Sequence, residues 1–99
     1  MKALWWSAER AAYIRQRSAR YANAFDVEPD WTLEAAADPH AIVREPDPRS
    51  TSGAAARIIG YSPGAGCVLT IIVRSADGAG VNAWKTTGAD LRAYHGGRQ

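Results

Sequence analysis

Two hydrophobic patterns divide this chain: helical spacing up to residue 37, and short runs of β-branched and aromatic residues after it. The aromatic segment 4–6 predicts a short strand. Ser7 then follows as a good helix N-cap, and alanines recur behind it at helical spacing, so we expect an amphipathic helix over residues 8–20. The polar side of this predicted helix carries Arg10, Arg17 and Arg20.

A second helix is predicted over residues 29–37. It begins with a proline, which suits the first helical turn because its fixed φ is helical and its missing N–H is not needed there. Its end is predicted at the Asp38-Pro39 pair, since the residue before a proline disfavours the helical conformation. Trp31 and Ala35 are four positions apart and are therefore expected to face the core.

The second half of the chain predicts an antiparallel meander. Its four apolar runs are residues 41–43, 57–61, 67–74 and 81–84. Polar segments rich in proline or glycine separate these runs, at 45–53, 62–66 and 76–80. A capping-box-like segment at 87–90 then starts a short helix that carries Leu91 and Tyr94 and stops at Gly96-Gly97.

The predicted element order is β-α-α-β-β-β-β-α, which is typical of an α+β domain with helices packed on an antiparallel sheet. A chain of 99 residues is long enough for one hydrophobic core, so we expect a single domain over residues 1–99. No apolar run approaches the length of a membrane span, and the N-terminus lacks the apolar region of a secretory signal. We therefore expect a cytoplasmic protein that does not bind membranes.

The cysteine and histidine content predicts neither a disulfide nor a zinc site. Cys67 is the single cysteine, and its position beside the apolar run 68–73 predicts a buried small hydrophobic residue. His40 and His95 lie far apart and do not form a ligand pair at zinc spacing. We expect no metal and no cofactor.

The net charge of +2 hides a segregation of charge along the chain. Residues 1–20 hold five cations against one carboxylate, residues 21–50 hold seven carboxylates against two arginines, and residues 51–99 hold five cations against two carboxylates. Ten of the twelve cations are arginine, whose planar guanidinium suits two-point contacts with phosphate or carboxylate. The basic segments are thus either solvated surface or binding surface for an anionic ligand.

Several short strings occur in a characteristic order along nearly the whole chain. They are Trp5-Trp6, Arg-Ser-Ala-Arg-Tyr at 17–21, Trp-Thr-Leu-Glu-Ala at 31–35 with Asp38-Pro39, Arg-Ile-Ile-Gly-Tyr-Ser at 57–62, and Asn82-Ala83-Trp84 before segment 90–94. In order and spacing they resemble the BrnT-type toxin group of bacterial type II toxin–antitoxin systems, especially divergent, actinobacterial-like relatives.

The resemblance implies a RelE-like ribonuclease fold, cleavage of RNA that halts translation, and neutralisation by a cognate antitoxin that itself binds DNA. The family typically has a Lys-His pair after the first helix, where this chain has Arg17 and Arg20 and no histidine. It also has adjacent basic residues near the end of the last strand, where this chain has Trp84-Lys85. A histidine general base is therefore not carried over.

RNA cleavage by a 2′-hydroxyl requires stabilisation of the charge that develops on the phosphate, and the transfer of two protons. Arg17, Arg20 and Lys85 are predicted to contact the phosphate. Tyr94 and Glu34 are the catalytic candidates for proton transfer, with Tyr61 as a further tyrosine. A tyrosine titrates near pH 10 and needs a cationic neighbour for this role, so packing is the simpler explanation for both tyrosines.

Three residues of the predicted strands are candidates for RNA binding. Arg57 and Arg74 are strand-borne cations that we expect on one face of the sheet. Trp84 could stack on an exposed base or, alternatively, pack inward in the core. Trp5 and Trp6 are assigned, with Trp31, to the core or to a partner surface.

Two other functions remain open on the sequence alone. The arginines of a catalytically inert binding module would dock an acidic segment of a partner or of a second copy, and the acidic segment 26–47 would suit such docking. A DNA-binding protein is the weaker alternative, because neither a helix-turn-helix nor a zinc-finger pattern is present.

Overall fold

The computed structural model describes residues 2–96, and it confirms the predicted α+β architecture with a four-stranded meander. The helices are α1 (Ala8–Arg15), α2 (Pro29–Ala36) and α3 (Gly88–Gly96), and a single 3₁₀ turn spans Arg17–Ala19. The strands are β1 (Ile42–Arg44), β2 (Ala55–Ser62), β3 (Cys67–Arg74) and β4 (Gly80–Lys85). Gly97, part of the predicted helix stop, lies outside the described residues.

The sheet has the order β1-β2-β3-β4, and all neighbouring strands are antiparallel. Because residues opposite each other project from the same side of a sheet, the pairing register sorts the side chains into two faces. One row across the sheet consists of Val43, Ile58, Ile71 and Ala83. The adjacent rows, Arg44, Arg57, Ile72 and Asn82 on one side and Ile42, Ile59, Thr70 and Trp84 on the other, project from the opposite face.

Helices α1 and α2 cover the first face and enclose the larger core. Its fully buried side chains include Ile14, Val27, Leu69 and Ile71. Helix α2 approaches β2 so closely that a Cβ at Gly60 would lie 2.0 Å from the carbonyl oxygen of Ala35. Glycine at this position is therefore required by the helix–sheet packing.

Helix α3 covers only part of the second face. Tyr94 and Leu91 pack there on Ile42, Ile59 and Val68, which form a second, smaller cluster. The row that contains Arg57 and the end of β4 lies beyond this cluster. An open region of the sheet face therefore remains next to the start of α3.

The predicted first helix was too long, since α1 ends at Arg15 instead of residue 20. Residues 26 and 27 lie against the C-terminal end of α1 and supply hydrogen bonds there. The amide of Val27 donates to the carbonyl of Ile14 at 2.9 Å, and the Asp26 carboxylate accepts from the amide of Ser18 at 2.7 Å. These bonds replace the next helical turn. The predicted cap is confirmed, because the Ser7 hydroxyl accepts from the Arg10 amide at 3.1 Å.

The predicted strand 4–6 was also wrong, because only Trp5 forms a bridge, in parallel with Ala79. Trp5 is 47% exposed and so lies outside the core, whereas Trp6 and Trp31 are partly buried against it. Cys67 is half-buried, and that burial raises the pKa of its thiol. None of the helices in the described residues has the length and apolarity that a bilayer crossing requires.

Candidate functional site

The open part of the second sheet face is a cleft of about 410 Å³, which we call the arginine cleft. The loop after β1 and the first turn of α3 form its walls, and β2 and β4 form its floor. Its charged and aromatic lining consists of Arg44, Asp47, Arg49, Arg57, Asp90 and Trp84. Three arginines and two carboxylates thus converge with one indole ring in one concave site.

Arg57 is the most buried cation of the arginine cleft. Its Nε donates to Oδ1 of Asp47 at 2.9 Å and one terminal nitrogen donates to Oδ2 of Asp90 at 2.6 Å. Burial disfavours the guanidinium cation, yet the hydrogen bonds and charges of Asp47 and Asp90 keep the pKa of Arg57 above its usual value. The guanidinium therefore stays charged while it is held at two points.

A second arginine shares one of these carboxylates. Arg44 donates to Oδ1 of Asp90 at 3.1 Å, so Asp90 bridges Arg44 and Arg57. The antiparallel register explains this contact, because it places Arg44 of β1 directly opposite Arg57 of β2. Asp90 in the first turn of α3 then lies above both arginines. Asp47 and Asp90 thus balance Arg44 and Arg57, while Arg49 lines the same cleft without a carboxylate partner among residues 2–96 and leaves it a net positive charge that suits an additional anion.

Trp84 of β4 lies beside two guanidinium groups. The guanidinium carbon of Arg57 is 5.5 Å from the centroid of the indole ring, and that of Arg17 is 5.9 Å from it. Both distances allow a cation–π interaction. The Trp84 ring is half-buried and does not belong to the main core. Neither expected alternative, packing in the core or exposure for base stacking, therefore describes it fully. Its ring packs instead against two guanidinium groups and helps to hold them in place.

Arg17 reaches the sheet from the 3₁₀ turn after α1. One of its terminal nitrogens donates to Oδ1 of Asn82 at 2.9 Å, which fixes the side chain beside β4. Its Nε is buried and has no hydrogen-bond partner within residues 2–96. The structure also gives Arg17 no carboxylate partner within the same residues. This cation is therefore held by neutral groups, and its charge is not compensated by an ion pair.

Lys85 lies close to the same place. A smaller cavity of about 260 Å³ is lined by Arg17, Phe25, Trp84 and Lys85 and shares Trp84 with the arginine cleft. The Lys85 ammonium is 5.6 Å from the centroid of the Phe25 ring. Of the predicted site residues, the structure thus brings together Arg17, Arg57, Trp84 and Lys85.

Two other predicted cations lie elsewhere. The Arg20 guanidinium stacks on the ring of Tyr13, 3.9 Å from its centroid, and donates to the Tyr13 carbonyl. Arg74 pairs with Asp77 in the β3–β4 turn at 2.7 Å and lines a separate cavity with Trp5. The hydrogen bonds and charge of Arg74 lower the pKa of Asp77 to about 2. Neither arginine lines the arginine cleft.

The predicted proton-transfer residues also lie outside the arginine cleft. Glu34 accepts hydrogen bonds from the Ser62 hydroxyl at 2.7 Å and the Gly64 amide at 2.8 Å, which lower its pKa and latch α2 to the β2–β3 turn. Tyr94 is 2% exposed and donates to Oδ2 of Asp38. The exposed Tyr61 lies near the same carboxylate, which accepts from its amide at 2.8 Å. These groups join the helices to the sheet and do not face the arginine cleft.

Sequence reasoning missed polar residues of this region, namely Arg44, Asp47, Arg49, Asn82 and Asp90. Asp90 was interpreted only as a helix-capping residue and Asp47 as part of a polar loop. Their contacts depend on which residue of β1 lies opposite β2 and on how the loop 45–54 folds back. The charge pattern gave one usable signal, since a carboxylate in a loop next to an arginine-bearing strand favours an ion pair.

The acidic segment 26–47 is largely engaged within the molecule. The carboxylates with intramolecular partners are Asp26, Glu28, Glu34, Asp38 and Asp47. A self-docking surface built from this segment would have to break those contacts. No group of three or more metal-ligating side chains occurs among residues 2–96.

Comparison with protein-family models, with curated proteins and with solved structures gives no match for this chain. The resemblance to BrnT-type toxins rests on the short strings of the sequence alone and stays a prediction. The functional argument therefore depends on the geometry of the arginine cleft.

Proposed function

We propose that this chain is the toxin of a type II toxin–antitoxin system and acts as a metal-independent ribonuclease that inhibits translation. The observation that carries the proposal is the placement of Arg57 and Arg17 beside one indole ring, 5.5 and 5.9 Å from the Trp84 centroid, where Arg57 lines the arginine cleft and Arg17 lines the smaller cavity that shares Trp84 with it. The order of the short strings supports the toxin part of the proposal.

Single-stranded RNA fits the chemistry of the arginine cleft. Guanidinium groups form two-point hydrogen bonds with phosphate oxygens, and aromatic and guanidinium planes accept unstacked bases. Arg49 lines the arginine cleft, and Arg17 and Lys85 line the adjoining smaller cavity; all three contribute positive charge without a carboxylate partner among residues 2–96. We assign the phosphate to the space between Arg17, Arg57 and Trp84.

Cleavage would begin when the 2′-oxygen loses its proton and attacks the neighbouring phosphorus, and it would end when the bond to the 5′-oxygen breaks and that oxygen takes a proton from water. Negative charge grows on the phosphate oxygens between these two events, and fixed cations near it lower the barrier. Arg57 suits this task because two carboxylates already fix its position, so little reorganisation is needed.

The carboxylate best placed to accept the 2′-hydroxyl proton is Asp90. It lines the arginine cleft, and its side chain is 18% exposed, whereas that of Asp47 is 5% exposed. Its two oxygens already accept hydrogen bonds from Arg44 and Arg57, so both are engaged before a substrate binds. We therefore assign most of the catalysis to charge stabilisation and a smaller part to proton transfer.

The proposal includes a partner and a compartment. A growth-inhibiting toxin requires a cognate antitoxin, which would bind this chain as a protein and bind DNA through its own domain. The RNA substrate, free or on the ribosome, places the proposed function in the bacterial cytoplasm. DNA would be contacted only indirectly, through the antitoxin.

The test is induced expression in a bacterial host combined with cleavage in vitro. We expect wild-type induction to arrest growth and lower incorporation of labelled amino acids. Purified protein should cleave a single-stranded RNA in excess EDTA and leave a 2′,3′-cyclic phosphate end. Co-expression of the neighbouring small reading frame, if it encodes a DNA-binding protein, should restore growth.

A matched pair of variants makes this test specific. Arg17→Gln removes a cation beside Trp84, whereas Arg92→Gln removes an exposed cation of α3 that does not line the arginine cleft. Arg17→Gln should abolish growth arrest and cleavage, and Arg92→Gln should retain both. Normal growth with wild-type protein at full expression would refute the toxin proposal and favour the inert binding module.

A further inference from the structure

We propose that a second surface continues the arginine cleft and binds the same single-stranded RNA strand. It is formed by Arg10, Tyr13, Arg17, Arg20 and Tyr21, and we call it the tyrosine–arginine surface. This inference rests on the proposed RNA binding and names the additional subsite. In this proposal Arg20 binds a nucleotide next to the cleaved one, whereas the sequence had predicted that Arg20 contacts the phosphate that is cleaved.

Arginine and tyrosine side chains alternate on this surface. The Tyr13 ring is contacted by Arg20 at 3.9 Å and by Arg10 at 5.4 Å, measured from the guanidinium carbon to the ring centroid. Arg17 lies 5.2 Å from the centroid of Tyr21. Tyr21 is 50% exposed, so a large part of its side chain is free to contact a base.

The positive charge of this surface is not neutralised by ion pairs among residues 2–96. Within residues 2–96 the structure gives carboxylate partners to Arg15, Arg44, Arg57 and Arg74, and none to the three arginines of the tyrosine–arginine surface. Those three cations are Arg10, Arg17 and Arg20. A hydrogen bond with Tyr21, followed by the charges of these arginines, lowers the pKa of Tyr13, which is consistent with a positive local potential.

The nearest carboxylates are engaged with other groups or belong to the same helix. Asp26 interacts electrostatically with Arg20, but its two oxygens accept hydrogen bonds from the amide and hydroxyl of Ser18. Glu9 adds one negative charge in the first turn of α1. Three arginines against these two carboxylates leave an excess positive charge that an anionic strand would neutralise.

Arg17 connects the two sites. It lies beside Tyr21 on one side and beside Trp84 on the other, at 5.2 and 5.9 Å from the two ring centroids. A strand whose phosphate contacts Arg17 would therefore place one neighbouring nucleotide at the exposed Tyr21 ring and the other toward the arginine cleft, beside the half-buried Trp84. Exposed aromatic rings interleaved with cations bind single strands with little sequence preference, because every base has a face that can stack.

The experiment measures how affinity depends on RNA length. Fluorescence anisotropy would follow binding of labelled, non-cleavable 2′-O-methyl uridine oligomers of two lengths, a trimer that fills the arginine cleft and a nonamer that reaches both sites. The test variant combines Arg20→Gln with Tyr21→Ala. Tyr21→Phe keeps the ring, and Arg15→Gln removes an exposed cation that is paired with Glu28.

We expect wild-type protein to bind the nonamer about tenfold more tightly than the trimer, the effect of roughly one additional stacked base and its phosphate. The double variant should lose that tenfold advantage and bind the trimer as wild type does. Arg15→Gln should behave as wild type with both oligomers, and Tyr21→Phe, which keeps the stacking ring, should retain the length dependence. Thermal melting of each variant reports whether it is folded.

Three results would overturn the second subsite. Wild-type protein that binds trimer and nonamer equally, or a double variant that keeps the length dependence, would refute the subsite and leave the proposed function intact. Polyglutamate that competes with the nonamer as well as RNA does would show a surface for acidic protein instead. Failure of wild-type protein to bind either oligomer would overturn the proposed function together with the subsite.

Discussion

The Nε of Arg57 donates to Oδ1 of Asp47 at 2.9 Å, and both side chains are nearly excluded from solvent, with 11% and 5% exposure. Burial of two charges is unfavourable unless each finds a partner, so the value of this pair lies in mutual neutralisation. The pair also ties the loop after β1 to the sheet, and it orients the Arg57 guanidinium toward Asp90 and the arginine cleft.

Removal of one member of this pair should destabilise the fold. We expect Arg57→Ala to lower the free energy of unfolding by about 3 kcal/mol, because Asp47 would keep a buried charge without its cation. Denaturant unfolding measures this change. Arg74→Ala is the matched control, since its pair with Asp77 is exposed to solvent and should contribute little to stability. Equal losses in the two variants would contradict this account of the buried pair.

Gly60 is predicted to tolerate no side chain. A Cβ there would lie 2.0 Å from the backbone oxygen of Ala35, so α2 would have to move away from β2. We expect Gly60→Ala to lower the free energy of unfolding by about 3 kcal/mol. At Gly96 a Cβ would meet no atom within 4 Å, and Gly96→Ala should change stability little. Similar melting temperatures for the two variants would show that the helix–sheet approach is looser than described.

Stability in acid should depend on Asp38. Burial opposes ionisation of this carboxyl, but hydrogen bonds from Tyr94, Tyr61 and His40 hold its pKa below the ordinary value of 3.8. A carboxyl whose pKa is lower in the folded state stabilises the fold fully above its unfolded pKa, and this contribution disappears as pH falls through the folded pKa.

The measurement is thermal unfolding of wild type and Asp38→Asn between pH 7 and pH 2. Asp38→Asn should be less stable at pH 7, by roughly 1–2 kcal/mol for weakened hydrogen bonds, and the gap should narrow as pH falls below 3.8. The exposed Glu45→Gln serves as a control for general charge effects. A gap that stays constant across the acid range would contradict the assignment to Asp38 ionisation.

The sequence predicted best where a signal was local and continuous. Strand β3 was placed at its observed bounds, since an apolar run interrupted only by Thr70 ends at Arg74. The Ser7 cap was also local, and it was confirmed. The end of α1 could not be predicted in this way, because it is set by Asp26 and Val27, which return to the helix from a later segment.

The candidate site was predicted in part for the same reason. Arginine and tryptophan were recognised as RNA-binding residue types, and Arg17, Arg57 and Trp84 indeed lie together. Asp90 and Arg44 were missed, because their approach to Arg57 depends on strand register and on the docking of α3. Residue type therefore indicated the chemistry, whereas tertiary packing selected the residues.

The indole N–H signals of the four tryptophans provide the most direct test of whether the arginine cleft binds RNA. In a ¹⁵N-labelled protein these signals report on Trp5, Trp6, Trp31 and Trp84 separately. Two of them are internal controls, because the Trp5 indole donates to the Asp77 carbonyl at 3.0 Å and the Trp6 indole donates to the Thr32 hydroxyl at 2.7 Å. Trp84→Phe identifies the Trp84 signal.

Titration with non-cleavable single-stranded RNA should shift the Trp84 indole signal and the Nε–H signals of Arg17 and Arg57 in a saturable manner. The Trp5 and Trp6 indole signals should stay in place. Saturable shifts at Trp5 or Trp6 with an unchanged Trp84 signal, or no shift at any residue, would contradict RNA binding in the arginine cleft.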